Sequence, residues 1–447
     1  MKTNDGAQAK PGRTAGEAGW HLSRYNLYAA IPDSEMTAVV NLYKGACSEF
    51  SALEIDLLSV ADKLSESHPF IERFARRGVI VDFDERAALE TMGRAACAAP
   101  HAIGLSICPT MGCNFDCPYC FQDHLAGKMS PKVQDDLVAL AERMMDTVGI
   151  NDLSVTWFGG EPLLYPGIIE SLSERLMGLA EDRGGSYGAS ILTNGYLLTQ
   201  ENVRMLDRCR VGSVQVTIDG IGATHDATRH LCGGGPTFER IVGNLREPGI
   251  PFKVDVRHNV YEDNLGEVDA LESFIRQLAE KSGNDLHYYV SPVTASPSAD
   301  ARGKQVSLLC GHDNTEIGLR RSAGRFRKGR GHFCMAHTIW VVCIDAFGNL
   351  YKCRGAVDKP RFSFGTAHDW DPADPIATAI SPDNLSMYLN TACPVPDEEC
   401  RECMWLPLCV GGCPHDRLTT GRSCVPFKDD PEAYALSLHA RMVENRT

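Results

Sequence analysis

The sequence contains no run of about 18 consecutive apolar residues, the length that a membrane-spanning helix needs. The segment Met1 to Trp20 is polar and rich in glycine and alanine, without the apolar core of a secretory signal. Basic residues are also in deficit, since 44 lysines and arginines stand against 58 aspartates and glutamates, for a net charge of −14. Binding to nucleic-acid phosphates needs a clustered basic surface. These absences predict a cytoplasmic protein with no membrane span and no nucleic-acid partner.

Cysteine, by contrast, is abundant, with 18 among 447 residues. Disulfides on this scale would require an oxidising compartment, which the missing secretory signal argues against. A reduced, metal-binding protein is the interpretation that fits both observations. The length allows two or three domains with a sizeable core.

Three cysteines stand close together in the segment Cys113–Phe121. Three residues separate Cys113 from Cys117, and two separate Cys117 from Cys120. Three thiolates can hold three irons of a four-iron cubane, which leaves the fourth iron free to bind a small molecule and pass it an electron. Zinc is the alternative, but structural zinc takes four ligands, usually in two short pairs, and the nearest extra ligand in this loop is His124.

The triplet resembles the signature of the radical SAM enzymes. In that family the open iron is chelated by the amino and carboxylate groups of S-adenosylmethionine (AdoMet), and reductive cleavage gives a 5′-deoxyadenosyl radical that abstracts hydrogen. The resemblance implies that Cys113, Cys117 and Cys120 are the catalytic cluster ligands and that Tyr119 belongs to the cofactor site. It also implies a reductant such as a flavodoxin or a ferredoxin.

From about residue 100 to residue 293 the sequence alternates between strand and helix patterns. Runs rich in valine and isoleucine predict strands at Ile103–Cys108, Ser154–Phe158, Ala189–Leu192, Ser213–Ile218, Phe252–Asn259 and His287–Val290. The segments between them predict helices at Pro131–Thr147, Gly167–Asp182, Gln200–Arg208, Thr237–Arg246 and Gly266–Lys281. Such alternation predicts an α/β fold with a parallel sheet, here an open, partial (β/α)6 barrel. Its site is expected in the loops that follow the strands, as for the cysteine triplet.

Those loops carry groups suited to binding a ligand. Glycines let a backbone approach a ligand closely, and an arginine offers a fork of donors to a carboxylate. The resemblance implies that Gly159, Gly160 and Glu161 contact the amino group of AdoMet. It implies that Thr193 and Arg229 contact the carboxylate or the ribose, and that Asn259 lies near the cofactor contact which the family makes from its fifth strand.

A second cysteine system occupies the C-terminal part of the chain. Its spacing is Cys-x13-Gly-x4-Cys, then Cys-x2-Cys-x5-Cys-x3-Cys, then a last cysteine. This is similar to the seven-cysteine pattern of the SPASM domain, which in that family binds two auxiliary four-iron clusters; a zinc ribbon is the alternative. The resemblance therefore implies three [4Fe-4S] clusters in all. It assigns the outer auxiliary cluster to Cys400, Cys403, Cys409 and Cys424 and the inner one to Cys334, Cys353 and Cys413.

The inner cluster has only three ligands in this assignment. The family often supplies the fourth from a cysteine shortly upstream of the first, and the six residues before Cys334 contain none. Either Cys310 or Cys343 completes the set, or an iron stays open for a substrate thiolate. The remaining cysteines are expected to be buried or incidental: Cys47, Cys97, Cys108, Cys209, Cys232 and Cys393.

The flanking segments complete the predicted organisation. Residues 1–20 are expected to be a disordered tail, 294–333 a connector with a basic run, 334–430 the SPASM domain and 431–447 a terminal helix or tail. Within residues 21–93 the sequence predicts strands at Tyr25–Ile31, Thr37–Tyr43 and Val79–Asp82. It predicts helices at Ser51–Lys63, with a Ser51/Glu54 capping box, and at Pro69–Arg77. This order resembles the winged-helix units that recognise leader peptides; a unit that only packs on the barrel is the alternative.

The resemblance covers Ile103 to Cys424 and implies a peptide-modifying oxidoreductase. We expect a maturase that forms a thioether in a ribosomally synthesised precursor peptide with a leader, with carbon–carbon crosslinking or epimerisation as alternatives. Anaerobic sulfatase maturases resemble one another in an aspartate just after the second SPASM cysteine, where this chain has Arg354. That departure favours the peptide maturase over formylglycine formation. A non-catalytic electron-transfer or zinc scaffold protein would have no need of the predicted cofactor pocket.

Overall fold

The computed structural model describes residues 19–64, 68–98, 100–293, 306–326, 334–391, 397–422 and 424–444. The described residues divide into two compact units, one formed by those from 19 to 89 and from 431 to 444, and the other by those from 90 to 430. No helix in the described part combines the length and the apolar character that crossing a membrane requires. Residues 1–18 of the tail predicted at 1–20, Cys393 and three residues of the basic run (Arg327, Lys328 and Arg330) lie outside the described residues.

The first unit is built on a three-stranded antiparallel sheet, β2-β3-β4, beside a two-stranded pair, β1-β5. Helix α15 at the C-terminal end of the chain contacts all three strands of the larger sheet. The elements are β1 (His21–Leu22), β2 (Asn26–Ala30), β3 (Thr37–Asn41), β4 (Ala46–Phe50), α1 (Ala52–Leu58), α2 (Pro69–Arg77), β5 (Ile80–Val81) and α15 (Pro431–Glu444). Helix α3 (Glu85–Ala98) begins in this unit and continues into the second. Its winged-helix character stays a prediction.

Local signals explain the helices of this unit. The backbone N–H of Glu54 donates to the Ser51 hydroxyl, and the Glu54 carboxylate accepts from the Ser51 backbone at 2.9 Å, so the predicted capping box is present. Helix α2 begins with Pro69 and ends at Gly78, whose φ of 74° is easily reached by glycine. Strand β4 was not predicted, because Ala46–Phe50 alternates only weakly between apolar and polar residues.

The second unit contains a nine-stranded sheet in the order β11-β10-β9-β8-β7-β6-β12-β13-β14. The six strands β6 to β11 are parallel, as the sequence predicts. They are β6 (Ile103–Ile107), β7 (Leu153–Trp157), β8 (Tyr187–Thr193), β9 (Val211–Thr217), β10 (Lys253–Val260) and β11 (Leu286–Pro292). The connecting helices are α4 (Pro131–Val148), α5 (Pro166–Asp182), α6 (Gln200–Arg208), α7 (Ala223–Thr228), α8 (Phe238–Arg246) and α9 (Val268–Ser282).

The two faces of this sheet differ in chemistry. Leu105, in register with Val155, belongs to the apolar core that also includes residues of the connecting helices. At alternate positions of the same strands, Ser106 on β6 is in register with Thr156 on β7, and Thr156 is in register with Ser190 on β8. A parallel sheet that is covered on both faces usually carries apolar residues throughout. The small polar residues therefore mark the second face as the one that lines a site.

The C-terminal part of the second unit extends the same sheet. Strand β12 (Val341–Ile344) pairs in parallel with β6 and antiparallel with β13 (Asn349–Tyr351), which pairs with β14 (Gly365–Thr366). The hairpin predicted at Asp345–Gly348 is present, and Gly348 has a φ of 89°. Short helices follow: α11 (Pro382–Leu389), α12 (Glu398–Glu402), α13 (Leu406–Cys409) and α14 (Pro414–Thr419).

The predicted connector is more ordered than its sequence indicates. Helix α10 (Gly311–Phe326) lies within it, and its Ile317 is buried with Val260, Val268 and Val290. Arg320 of the basic run pairs with Asp269 at 2.6 Å. The helix was missed because this segment, rich in Gly, Ser and Arg, buries few apolar side chains and so lacks a clear helical period.

Candidate active site

The cysteine triplet lies in the loop that joins β6 to α4. This loop is closed at its base, because Met129 N–H donates to Pro109 O at 2.8 Å and Thr110 forms an isolated bridge with Lys128. The Thr110 hydroxyl also donates to Gly127 O at 2.5 Å. The loop therefore leaves the end of a strand, where parallel sheets place their sites, and returns to the same point.

Of the three cysteines, Cys117 is buried, and Cys113 and Cys120 are partly buried. Burial raises the pKa of Cys113, and it raises that of Cys117 to about 12, with Cys120 among the further causes in both. Among the groups that contact the thiols, Phe115 N–H donates to Cys113 Sγ at 3.4 Å, and His124 Nε2 lies 3.2 Å from Cys120 Sγ. Thiolates in such a place need a cationic partner, and an iron cluster is one. The donor set thus fits the predicted cluster.

The loop after β7 packs directly on the backbone of the triplet loop. A Cβ on Gly159 would lie 2.3 Å from Thr110 O, and one on Gly160 would lie 2.1 Å from Gly112 O. Glu161 N–H then donates to Gly112 O at 2.9 Å. The structure gives the two glycines a role that the sequence did not show, since they permit backbone contact with the triplet loop.

Glu161 joins this loop to the one that follows β8. Its carboxylate is fully buried and accepts hydrogen bonds from Leu163 N–H at 3.0 Å, from the Thr193 hydroxyl at 2.8 Å and from Asn194 N–H at 2.7 Å. Burial raises the pKa of Glu161. The amide of Asn194 reaches the triplet loop, donating to Asn114 Oδ1 at 2.8 Å. Glu161 and Thr193, both predicted to contact the cofactor, are bonded to each other.

Three other predicted residues meet at one buried carboxylate. The Tyr119 hydroxyl donates to Asp219 and accepts from Arg229 Nη1 at 2.7 Å and from Asn259 Nδ2 at 3.2 Å. The backbone N–H of Asn259 donates to Asp219 Oδ1 at 3.0 Å. Asp219 itself was not among the predicted site residues. Its signal was its position, directly beyond the fourth strand of the repeat.

Arg229 keeps an unused donor in this network. Its Nε is buried without a hydrogen-bond partner, although Nη1 is bonded to Tyr119. Burial alone would lower the pKa of Arg229, but Tyr119, Cys117 and Asp219 together outweigh burial and raise it, so the side chain is cationic. A buried, charged donor next to a cluster loop fits the carboxylate of AdoMet.

The cysteines assigned to the outer auxiliary cluster also come together. A cavity of about 310 Å³ is lined by all four, Cys400, Cys403, Cys409 and Cys424. Arg417 donates to Cys400 Sγ at 3.2 Å. Among the described residues, no three His, Cys, Asp or Glu side chains gather closely enough for one metal ion, so the cysteines outline a space rather than a closed single-ion site.

Cys353, one of the cysteines assigned to the inner cluster, packs against a buried cluster of side chains that includes Cys343 and Tyr351. Burial raises the pKa of Cys353 to about 12, and the further causes include the thiols of Cys343, Cys334 and Cys413. Cys310 is exposed and lies just before α10.

Residues 107–275 match the model of the Radical SAM superfamily. The matched part runs from the end of β6 into α9 and contains the triplet, Asp219 and Arg229. This part of the chain is thus similar to radical SAM domains, which in that family are enzymatic and use AdoMet and a [4Fe-4S] cluster. The predicted α/β fold with a parallel sheet is confirmed.

Two curated relatives match about half of the chain. The sporulation killing factor maturation protein SkfB of Bacillus subtilis is 29% identical over 212 residues, which are 46% of this chain and 47% of that protein. Fe-coproporphyrin III synthase of Methanosarcina barkeri is 25% identical over 228 residues, 49% of this chain and 51% of that enzyme. The chain spans about half the length of these relatives.

Two further similarities reach beyond the radical SAM domain. The cysteine-type anaerobic sulfatase-maturating enzyme of Clostridium perfringens is 22% identical over 359 residues, 72% of this chain and 89% of the enzyme. The solved structure of anSMEcpe with bound AdoMet superposes with a TM-score of 0.56 at 18% identity, covering 77% of this chain and 98% of that one. At this level of identity the structural likeness is one of fold.

Proposed function

We propose that this chain is a radical SAM enzyme and modifies a ribosomally synthesised precursor peptide by forming a thioether between a cysteine sulfur and a carbon. The observation that carries this proposal is the second cysteine system, whose outer four members line one cavity. A domain that only cleaved AdoMet would not need these additional cysteines. Thioether formation does need an electron acceptor, because it removes two hydrogen atoms from the peptide, one from carbon and one from sulfur.

The residues of the site have separate tasks in this proposal. Cys113, Cys117 and Cys120 hold the cluster, and Arg229 binds the carboxylate of AdoMet through its unused Nε donor. When bound, the cluster and AdoMet supply hydrogen-atom abstraction. Tyr119 positions Arg229 by accepting from its Nη1.

Buried side chains fix the loops around the triplet. Glu161 holds the loops after β7 and β8 together through the hydrogen bonds from Thr193 and Asn194, and Gly160 lets the loop after β7 lie on the triplet loop. These contacts hold the triplet loop in place, with its middle cysteine buried and the other two partly buried. Site geometry therefore depends on groups that do not themselves have to touch the substrate.

Formylglycine formation is the second candidate, since the sulfatase-maturating enzyme is similar over 72% of this chain. Against it stands Arg354, which begins a 3-10 helix directly after Cys353, where the resemblance calls for an aspartate base. A guanidinium stays protonated and cannot take up a proton. The separate N-terminal unit also favours a precursor peptide, whose leader it would bind.

A peptide assay tests this proposal. The full chain is reconstituted with iron and sulfide under anaerobic conditions and incubated with AdoMet, dithionite and a cysteine-containing peptide encoded beside its own reading frame. We expect 5′-deoxyadenosine and a peptide lighter by two hydrogen atoms, with the crosslink located by fragmentation. Replacement of sulfur by oxygen in the peptide would identify the formylglycine reaction instead. Cleavage of AdoMet with every candidate peptide unchanged would contradict a peptide substrate.

A further inference from the structure

The last three parallel strands of the second unit present a polar face opposite the apolar core. Val216 on β9 and Val256 on β10 belong to that core. Successive residues of a strand point to opposite faces, so the residues next to these valines lie on the other side of the sheet. One row on that side consists of Thr217, Arg257 and Tyr289, which are in register. Arg257 therefore lies on the face that carries the small polar residues of β6 to β8.

Two neighbours fix the guanidinium of Arg257 near the carboxyl ends of the strands. Its Nε donates to Asn259 Oδ1 at 2.7 Å, and its Nη2 donates to the Ser291 hydroxyl at 3.0 Å. Both acceptors lie two residues further along their strands, toward the edge at which a parallel sheet places its site. The amide of the same Asn259 donates to the Tyr119 hydroxyl at 3.2 Å. A group bound to Arg257 would thus lie beside the network around Tyr119.

The guanidinium of Arg257 keeps donors for a ligand. Burial raises the pKa of Tyr289, and Arg257 opposes the rise through its charge and through a hydrogen bond to the hydroxyl. That hydroxyl donates to Gln215 Oε1 at 2.7 Å, so it can accept from Arg257. A guanidinium has five N–H donors. Among the described residues, the bonds to Asn259, Ser291 and Tyr289 leave two of them, the number with which an arginine holds a carboxylate in a bidentate pair.

Arg257 also has no carboxylate partner within the described part of the chain, although its side chain is half-buried. Asp255, two residues earlier on the same face, pairs with Lys253 at 2.6 Å. Asp219 interacts electrostatically with Arg257 but forms its ion pair with Arg229, at 3.9 Å. A partly buried charge loses hydration, and a bound anion would compensate for that loss.

We propose that Arg257 binds a carboxylate of the substrate peptide, the side chain of an aspartate or glutamate close to the residue that is modified. This inference rests on the proposed function, because it presumes a peptide substrate. It adds a substrate class, a peptide with an acidic residue near the modified carbon. The site proposed for AdoMet would hold a second carboxylate, that of the cofactor, and Arg229 with its unused Nε is the residue assigned to it.

The test measures discrimination between peptides by the full, reconstituted chain. A peptide that the chain modifies is compared with copies in which its aspartates and glutamates are replaced, one at a time, by asparagine or glutamine. We expect one replacement to lower kcat/KM by about tenfold or more, the effect of losing hydrogen bonds to a charged group. Arg257→Gln should lower kcat/KM for the original peptide to the same degree and should no longer discriminate between the two peptides.

Arg276→Gln is the matched control. Arg276 also donates to a serine hydroxyl, that of Ser273 at 3.3 Å, but it is exposed on α9, which packs on the apolar face. This variant should discriminate as the parent protein does. Arg257→Lys keeps the charge without the fork of donors, so it should lose part of the discrimination and serves if the glutamine variant folds poorly.

Three results would overturn the inference. One is discrimination as strong as that of the parent protein in either Arg257 variant. Another is a parent protein that modifies all the copies equally well. The third is a raised KM for AdoMet in the Arg257 variants with the discrimination intact, which would assign Arg257 to the carboxylate of the cofactor.

The two levels of the proposal fail differently. A parent protein that modifies no peptide contradicts the proposed function, and with it the ligand assigned to Arg257. A parent protein that modifies a peptide whose acidic residues can all be replaced contradicts only the assignment of Arg257.

Discussion

Single buried side chains carry much of the site, and Glu161 is the clearest case. Its carboxylate is the common acceptor for donors from two loops, including Thr193 and Asn194. The sequence predicts that Glu161 and Thr193 belong to the site, because each follows a strand. It does not show that they bond to each other, since that contact depends on how two loops distant in sequence meet in space. Asp219 was missed for the same reason, although Tyr119 and Arg229 both contact it.

A Glu161→Ala substitution should lower the free energy of unfolding by about 3 kcal/mol or more, because it leaves three buried donors without their acceptor. Chemical denaturation measures the loss. Glu170→Ala is the control: Glu170 pairs with Arg208 at the surface and should change stability by less than about 0.5 kcal/mol. Equal stabilities for the two variants would contradict the bridging role of Glu161.

His258 makes stability depend on pH. Burial lowers its pKa to about 4, from an ordinary value of about 6.5. Below pH 6.5 the unfolded chain takes up a proton that the folded chain refuses, so the stability from this group is complete above that pH and declines as pH falls toward 4. Between about pH 7 and about pH 5.5 the decline amounts to about 1 kcal/mol.

Replacing His258 by Gln should reduce the stability lost over this pH interval by that amount, as measured by denaturant unfolding at each pH. Burial also lowers the pKa of His225 and His337, so part of the decline remains in the variant. His287→Gln, at an exposed position, should follow the parent protein. A His258→Gln profile identical to that of the parent would rule out His258 as a source of the decline.

Elements with strong local signals were predicted closely, and those that depend on distant partners were not. Helix α6 has the predicted bounds, with Thr199 as its cap. The predicted hairpin is present, but its pairing with β6 was not expected, because residues 341–344 and 104–107 are joined only by the fold. Helix α10 was also missed, since burial of Ile317 depends on strands far away in sequence.

The packing of the loop after β7 on the triplet loop leads to a prediction at the scale of structural elements. A Gly160→Ala substitution would place a methyl group 2.1 Å from Gly112 O, a backbone atom that cannot move aside alone. The variant should lose the iron of the triplet while keeping that of the C-terminal cysteines, as shown by iron analysis and EPR. Gly178→Ala, in α5, meets nothing within 4 Å and should stabilise the chain by up to about 1 kcal/mol. A Gly160→Ala variant that keeps the iron of the triplet would show that the close packing of these two loops is dispensable.

At the scale of the whole molecule, the described chain consists of two units, and the first is made from both ends of the sequence. The return of α15 to the sheet of the first unit could not be predicted, because no sequence pattern states which surface a terminal helix covers. The order of motifs was more informative: the triplet, the loop residues and the C-terminal cysteines occur in the order that the resemblance requires, and the radical SAM match covers the first two.

The most direct measurement of the central claim is the formation of 5′-deoxyadenosine from AdoMet by the anaerobically reconstituted chain with dithionite. We predict formation by the parent protein and none by a variant with Cys113→Ala, Cys117→Ala and Cys120→Ala. A control variant that lacks three cysteines elsewhere (Cys47, Cys97 and Cys209) should stay active. Equal formation by the triplet variant, or none by the iron-loaded parent protein, would contradict the account.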